Sequence, residues 1–126
     1  MAKILIVDDE PTVAAALRRI FVETHEVTLA HEGLQAWQLL NDGAHFDAIF
    51  CDILMPKLTG VELYERLRVQ HPKLAAKIIF LVGGGYSTDI CNVLDQAPNL
   101  KVSKPFHVSS VQAALTELLE AHNPSN

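Results

Sequence analysis

The chain has 126 residues, 49% of them hydrophobic, and a formal net charge of −5 at pH 7. That length suits one domain with one core, and the apolar content excludes an extended disordered chain. The acidic balance argues against a nucleic-acid surface, which is ordinarily basic, and no apolar run nears the roughly 18 residues of a membrane span.

Met1-Ala2-Lys3 enters a short strand directly, without a signal-peptide layout, so the chain is expected to be cytoplasmic. Strands are predicted at Lys3–Val7, Glu26–Ala30, Ala48–Cys51, Lys77–Val82 and Leu100–Val102. They are short and continuously apolar rather than alternating, which is the pattern of a parallel sheet covered by helices on both faces. The helices between them follow 3.6-residue periodicity. Pro11–Glu23 opens on a proline suited to a first turn and puts Val13, Leu17 and Phe21 on one face. Gly33–Asn41 carries Leu34 and Trp37. Leu58–Gln70 carries Val61, Tyr64 and Leu67, with Pro72 closing it. Tyr86–Gln96 carries Ile90, Val93 and Leu94, and His107–Ala121 carries Val111, Leu115 and Leu118. Five such strand–helix units without a linker predict one doubly wound α/β domain over residues 1–122. Residues 123–126 read as a flexible tail.

Cys51 falls in a strand and Cys91 in a helix, so both are expected to be buried free thiols. The histidines show no metal-ligand spacing. The chemistry lies with the acids. Asp8-Asp9-Glu10 follows the first strand, Asp52 closes the third, and Lys104-Pro105 follows the fifth. Ligands of such sheets bind outside the carboxyl ends of the strands. Acids there are costly unless partnered, so a divalent metal, a phosphoryl group and the lysine are the expected partners. The same residues have plainer readings. Asp8-Asp9-Glu10 can serve as an acidic helix cap, and Lys104 as a solvated loop lysine.

Asp8-Asp9, Asp52 with Met55-Pro56 and Gly60, and Lys104-Pro105-Phe106 together resemble the receiver domain of two-component response regulators. The resemblance covers essentially the whole chain. It implies a flavodoxin-like five-stranded parallel sheet in the order 2-1-3-4-5, a topology that receivers of this kind exemplify. It implies that Asp52 accepts a phosphoryl group from a phosphohistidine on a histidine kinase or histidine phosphotransfer protein. Mg²⁺ would be held by Asp9, Asp52 and the Leu54 backbone carbonyl, with Asp8 holding a metal-bound water. Lys104 would pair with the carboxylate and then with the phosphoryl oxygens, and the N–H groups of Leu54 and Gly83 would supply further donors. Lys104-Pro105 is a candidate cis peptide on the same ground.

Two positions depart from the pattern. Val82 stands where the family places Thr or Ser, and Lys101 where it often places Tyr or Phe. Valine keeps threonine's shape but has no hydroxyl, so phosphorylation is expected to drive a weaker conformational switch, or one using other groups such as Ser87 or Thr88. Leu54 and Gly84 offer no polar group to orient a hydrolytic water, so slow autodephosphorylation is expected. The chain is therefore read as a phosphoacceptor, not an enzyme. A phosphatase would need a second acid where Leu54 stands.

The rival reading is a degenerate receiver that binds partners without phosphorylation. The resemblance implies kinase docking on the first helix, with Val13, Ala14 and Leu17 as candidates. Dimer or output contacts are expected on the fourth predicted helix, the fifth strand and the fifth predicted helix, with Ile90, Val93, Lys101 and Val111 as candidates. The Gly83-Gly84-Gly85 turn and the Lys104-Pro105-Phe106 ending resemble receivers attached to hybrid sensor histidine kinases; a stand-alone regulator fits equally.

Overall fold

The structure, a computed structural model, describes residues 1–122; the tail expected at 123–126 lies outside the described residues. The apolar runs form β1 (Lys3–Val7), β2 (Glu26–Ala30), β3 (Ala48–Asp52), β4 (Ile78–Val82) and β5 (Lys101–Ser103). All pair in parallel in the order β2-β1-β3-β4-β5, the doubly wound flavodoxin-like arrangement expected above. The helices are α1 (Pro11–Phe21), α2 (Gly33–Asn41), α3 (Gly60–Gln70), α4 (Pro72–Ala75), α5 (Thr88–Gln96) and α6 (Val108–His122).

The two-residue repeat of each strand divides the core in two. Leu5, Val7, Ile49, Cys51, Ile78 and Phe80 face α2, α3, α4 and α5, meeting Leu40, Leu63, Leu67 and Leu94. Ile4, Ile6, Phe50, Ile79 and Leu81 face α1 and α6, meeting Leu17, Phe21, Val111 and Leu115. Both faces of the inner strands are thus dry, which is why their sequences do not alternate.

Several predicted boundaries move, each for a local reason. Helix α3 starts at Gly60 rather than Leu58 because Thr59 and Glu62 form a capping box: the Glu62 N–H donates to Thr59 Oγ1 at 3.1 Å and the Thr59 N–H to Glu62 Oε1 at 2.9 Å. Pro72 closes α3 but also opens the short α4, which the sequence reading lacks. Helix α5 starts at Thr88 rather than Tyr86, since Ser87 Oγ caps the Ile90 N–H, leaving Tyr86 in the preceding loop. Helix α1 ends at Phe21, whose carbonyl accepts from the Thr24 and His25 N–H groups in the following turn. Cys51 is buried as expected, but Cys91 is exposed: α5 turns only Leu94 fully inward, and Cys91 lies on its wet side. Among the described residues no helix is long and apolar enough to cross a membrane.

Candidate functional site

Three strand ends deliver charge to one place. After β1 the chain keeps its strand path one residue further, the Asp8 N–H donating to the Ala30 carbonyl of β2 at 3.1 Å. Asp52 is the last residue of β3 and pairs with Leu81 across the sheet. Beyond β5 the Lys104 N–H donates to the Val82 carbonyl at 2.7 Å, extending the ladder before the cis Lys104-Pro105 peptide turns the chain away. The Lys104 Nζ then donates to Asp52 Oδ1 at 3.0 Å and to Asp8 Oδ2 at 3.2 Å. The pairing of Lys104 with Asp52 was expected; its sharing with Asp8 was not.

Each buried acid has a backbone donor as well. The Glu10 N–H donates to Asp8 Oδ1 and the Ile53 N–H to Asp52 Oδ1, both at 2.9 Å. Asp8 is fully buried and Asp52 is 6% exposed, while Asp9 faces solvent. The helix-cap reading of the acidic trio holds only in part: Glu10 is the N-cap residue of α1 but makes no side-chain cap hydrogen bond, and Asp8 turns into the site instead. Lys104 is not a solvated loop lysine.

Electrostatics follow from that burial. Desolvation is the largest influence on both Asp8 and Asp52 and holds each above the ordinary carboxylate range, against the opposing pull of Lys104 and the backbone donors. Burial alone would depress Lys104, but the hydrogen bond and charge of Asp52, with those of Asp8, keep its ammonium above the usual lysine value. The carboxylate oxygens of Asp8, Asp9 and Asp52 lie within 4.8 Å of one another. Three carboxylates face one lysine, so the cluster is short of positive charge. An all-oxygen donor set, open to solvent at Asp9, suits a hard divalent cation such as Mg²⁺.

Gly60 locks the site's floor. Its N–H donates to the Ile53 carbonyl at 2.7 Å, and a Cβ there would overlap the backbone carbonyl oxygen of Asp52. Only glycine lets the start of α3 press this closely on the end of β3. Met55 and Leu58 of the intervening loop are buried in the core, while Leu54, two residues after Asp52, is 48% exposed.

The other sequence candidates sit on the β4–β5 side. Val82 is half-buried and packs against the core cluster beneath α5. Lys101 is exposed, and its Nζ donates to the carbonyls of Ala97 and Asn99 at 2.9 and 3.0 Å. It tethers the loop after α5 rather than presenting a mobile ring. The Gly83 N–H is taken: it donates to the Tyr86 hydroxyl at 2.5 Å. The sequence reading missed Tyr86 by counting it as the start of a helix; the signal was a phenol placed just after three glycines. Of the expected docking residues on α1, Ala14 and Leu17 belong to the core, and Val13 is left, lining a shallow hollow with Ala16, Lys104 and Phe106. On the expected output face, Val111 belongs to the core beside α1 and α6, whereas Ile90 and Val93 are half-buried against the opposite core, beside α2–α5.

Comparison with known proteins gives one answer. The profile of the response regulator receiver domain matches residues 4–116. The transcriptional regulatory protein TcrA of Mycobacterium tuberculosis is 32% identical over 117 residues, which is 92% of this chain and 45% of that protein. CpxR of Escherichia coli, also a transcriptional regulatory protein, is 31% identical over 120 residues, 94% of this chain and 50% of that one. The chain thus spans about half the length of these relatives. Among solved structures, the receiver domain of a signal transduction histidine kinase from Syntrophus aciditrophicus superposes with a TM-score of 0.86 at 26% identity, covering all of this chain and 96% of that one. With the profile match spanning most of its length and an acidic cluster at the carboxyl edge of a 2-1-3-4-5 sheet, the chain belongs to the response regulator receiver domain family of two-component signalling.

Proposed function

We propose that Asp52 is the phosphoacceptor of a two-component phosphorelay, charged from a phosphohistidine on a histidine kinase or histidine phosphotransfer protein in the cytoplasm. Receiver domains are in general phosphoacceptors that work with such partners, and the acidic pocket here fits that task. The observation that carries the reading is the shared lysine: one ammonium within 3.2 Å of both Asp52 and Asp8, at the meeting of three strand ends.

An Asp52 carboxylate oxygen attacks phosphorus as the P–N bond to the donor imidazole breaks, its electron pair leaving with the imidazole nitrogen. Lys104 is positioned to follow the charge from the carboxylate to the phosphoryl oxygens. Asp8, Asp9, Asp52 and the Leu54 carbonyl would hold Mg²⁺. When bound, the ion supplies charge neutralisation between carboxylate and phosphoryl group. The backbone N–H groups of Leu54 and Gly83 are the proposed phosphoryl donors. With Leu54 and Gly84 contributing no polar side chain, the acyl phosphate is expected to be long-lived, and a lifetime of seconds in Mg²⁺ buffer contradicts this.

The usual output relay is altered. Val82 has no hydroxyl to move, and Lys101 is anchored on two carbonyls. Those two features favour the second reading, a receiver that binds partners without phosphorylation, its proposed dimer or output face formed by α5, β5 and α6. Intact mass spectrometry after incubation with acetyl phosphate separates the two. The first reading expects a Mg²⁺-dependent gain of one phosphoryl group by the wild type and none by Asp52→Asn. No gain by the wild type, from acetyl phosphate or from candidate kinases, leaves only the second.

A further inference from the structure

The hydroxyl absent from Val82 has a counterpart nearby. A trans peptide points its C=O and N–H in opposite directions. In the Val82–Gly83 peptide the carbonyl points toward β5, accepting from the Lys104 N–H. The Gly83 N–H therefore points the other way, toward β3 and the end that carries Asp52. The Tyr86 hydroxyl sits on that N–H, at the gap between the ends of β3 and β4.

The segment between them is exposed and unpacked. Nothing lies within 4 Å of where a Cβ would be at Gly84 or Gly85, and Gly85 has φ +75°. Tyr86 itself is half-buried, its ring packed against the core cluster beneath α5, and it is followed by Ser87, the N-cap of that helix. The hydroxyls considered from sequence as substitutes are placed otherwise: Ser87 Oγ is committed to the Ile90 N–H, and Thr88 lies within the first turn.

We propose that Tyr86 is the positioning residue that couples phosphorylation to α5. Its hydroxyl holds the Gly83 N–H in the resting state, a phosphoryl group on Asp52 claims that N–H, and the displaced ring carries the change into the start of α5. No covalent step is added. The inference rests on Asp52 being the acceptor.

The test is Tyr86→Phe, which keeps the ring and removes only the hydroxyl. The wild type and the variant are each loaded with Mg²⁺ and titrated with beryllofluoride, an acyl-phosphate mimic, while amide spectra are recorded. In the wild type the Gly83 amide and those of Thr88–Gln96 shift. The variant, with no hydrogen bond to give up, is expected to bind beryllofluoride about two- to tenfold more tightly, with the Gly83 shift kept and the α5 shifts reduced. Equal affinity with equal α5 shifts overturns the proposal, as does weaker binding, which would make the hydroxyl a phosphoryl donor instead of a placeholder. Failure of the wild type to bind beryllofluoride removes the acceptor reading itself, and this coupling with it. A loss of packing alone would leave beryllofluoride affinity unchanged, so the affinity separates positioning from structure.

Discussion

The carboxyl edge of the sheet has two halves built on opposite lines. On the β1–β3 half, Asp8 and Asp52 are buried, each held by a backbone N–H and by Lys104, and Gly60 leaves the floor no room to shift. On the β4 half, Gly83, Gly84 and Gly85 are all exposed, and the loop is closed by the Gly83 N–H donating to the Tyr86 hydroxyl. The first half holds each buried carboxylate by a backbone N–H and the Lys104 ammonium, the kind of positioning that transfer of a group between nucleophiles demands. The second is a run of exposed glycines with few contacts, the kind of segment a reporter of that transfer needs. The contrast teaches that accepting and responding are separate properties here, carried by different chain segments, and substitutions should affect them separately.

The strongest way to break the contrast is to loosen the rigid half. Gly60→Ala forces a methyl group into the Asp52 carbonyl, a backbone atom that cannot rotate aside. A destabilisation of about 3 kcal/mol is expected, at the upper end for overpacking, read from urea denaturation. Removing the shared cation is next. Lys104→Met leaves two buried carboxylates facing each other, for an expected loss of about 2 kcal/mol in metal-free buffer, discounted because the lysine is 19% exposed. Chemical denaturation with and without Mg²⁺ checks it, and an unchanged midpoint in metal-free buffer would mean the lysine is not holding the acids.

The two halves also differed in how legible they were. Asp8, Asp9, Asp52 and Lys104 could be placed from sequence because charged residues at the ends of continuous apolar strands have few places to go in a parallel sheet. The core faces were equally plain, since strand alternation sorts Leu5 and Val7 to one side and Ile4 and Ile6 to the other. What was not legible depends on loop paths. Gly60 reads as an ordinary helical glycine until α3 is seen pressed on β3, and its signal lay in the Thr59–Glu62 capping box that fixes where α3 begins. Tyr86 reads as helical until Ser87 takes the cap. Ala14 and Leu17 were docking candidates because the family resemblance points to α1, and the periodicity of that helix does not say how much of its apolar stripe the sheet covers.

Asp8→Asn should sharpen the comparison by relieving the strain in the rigid half. Burial raises the Asp8 pKa above its unfolded value. A carboxyl shifted upward contributes stability that is complete below the unfolded pKa and is lost as pH rises through the folded one. At neutral pH the ionised Asp8 is therefore a net cost, and the amide removes the charge while keeping an oxygen for the Glu10 N–H, at the loss of the Lys104 hydrogen bond. The variant is expected to be more stable by on the order of 1 kcal/mol at pH 7, the difference closing as pH falls and the wild-type carboxyl takes up its proton. A gap that stays constant with pH would locate the effect elsewhere.

The smallest effect belongs to the loose half. Gly84 has a φ outside the left-handed region and open space where a Cβ would go, so alanine fits without strain. Gly84→Ala then acts mainly on the unfolded chain, whose freedom it reduces, and is expected to stabilise by about 0.5 kcal/mol. Because Gly84 contacts neither Asp52 nor Lys104 through a side chain, uptake of a phosphoryl group from acetyl phosphate should proceed as in the wild type. Its consequence should fall on α5: stiffening the loop between Gly83 and Tyr86 raises the cost of moving the ring, so the Thr88–Gln96 amide shifts with beryllofluoride should shrink while the Asp52 chemistry is kept. If acceptance and response instead fell together, the two halves would be one cooperative unit, and the division drawn from their packing would not describe how the domain works.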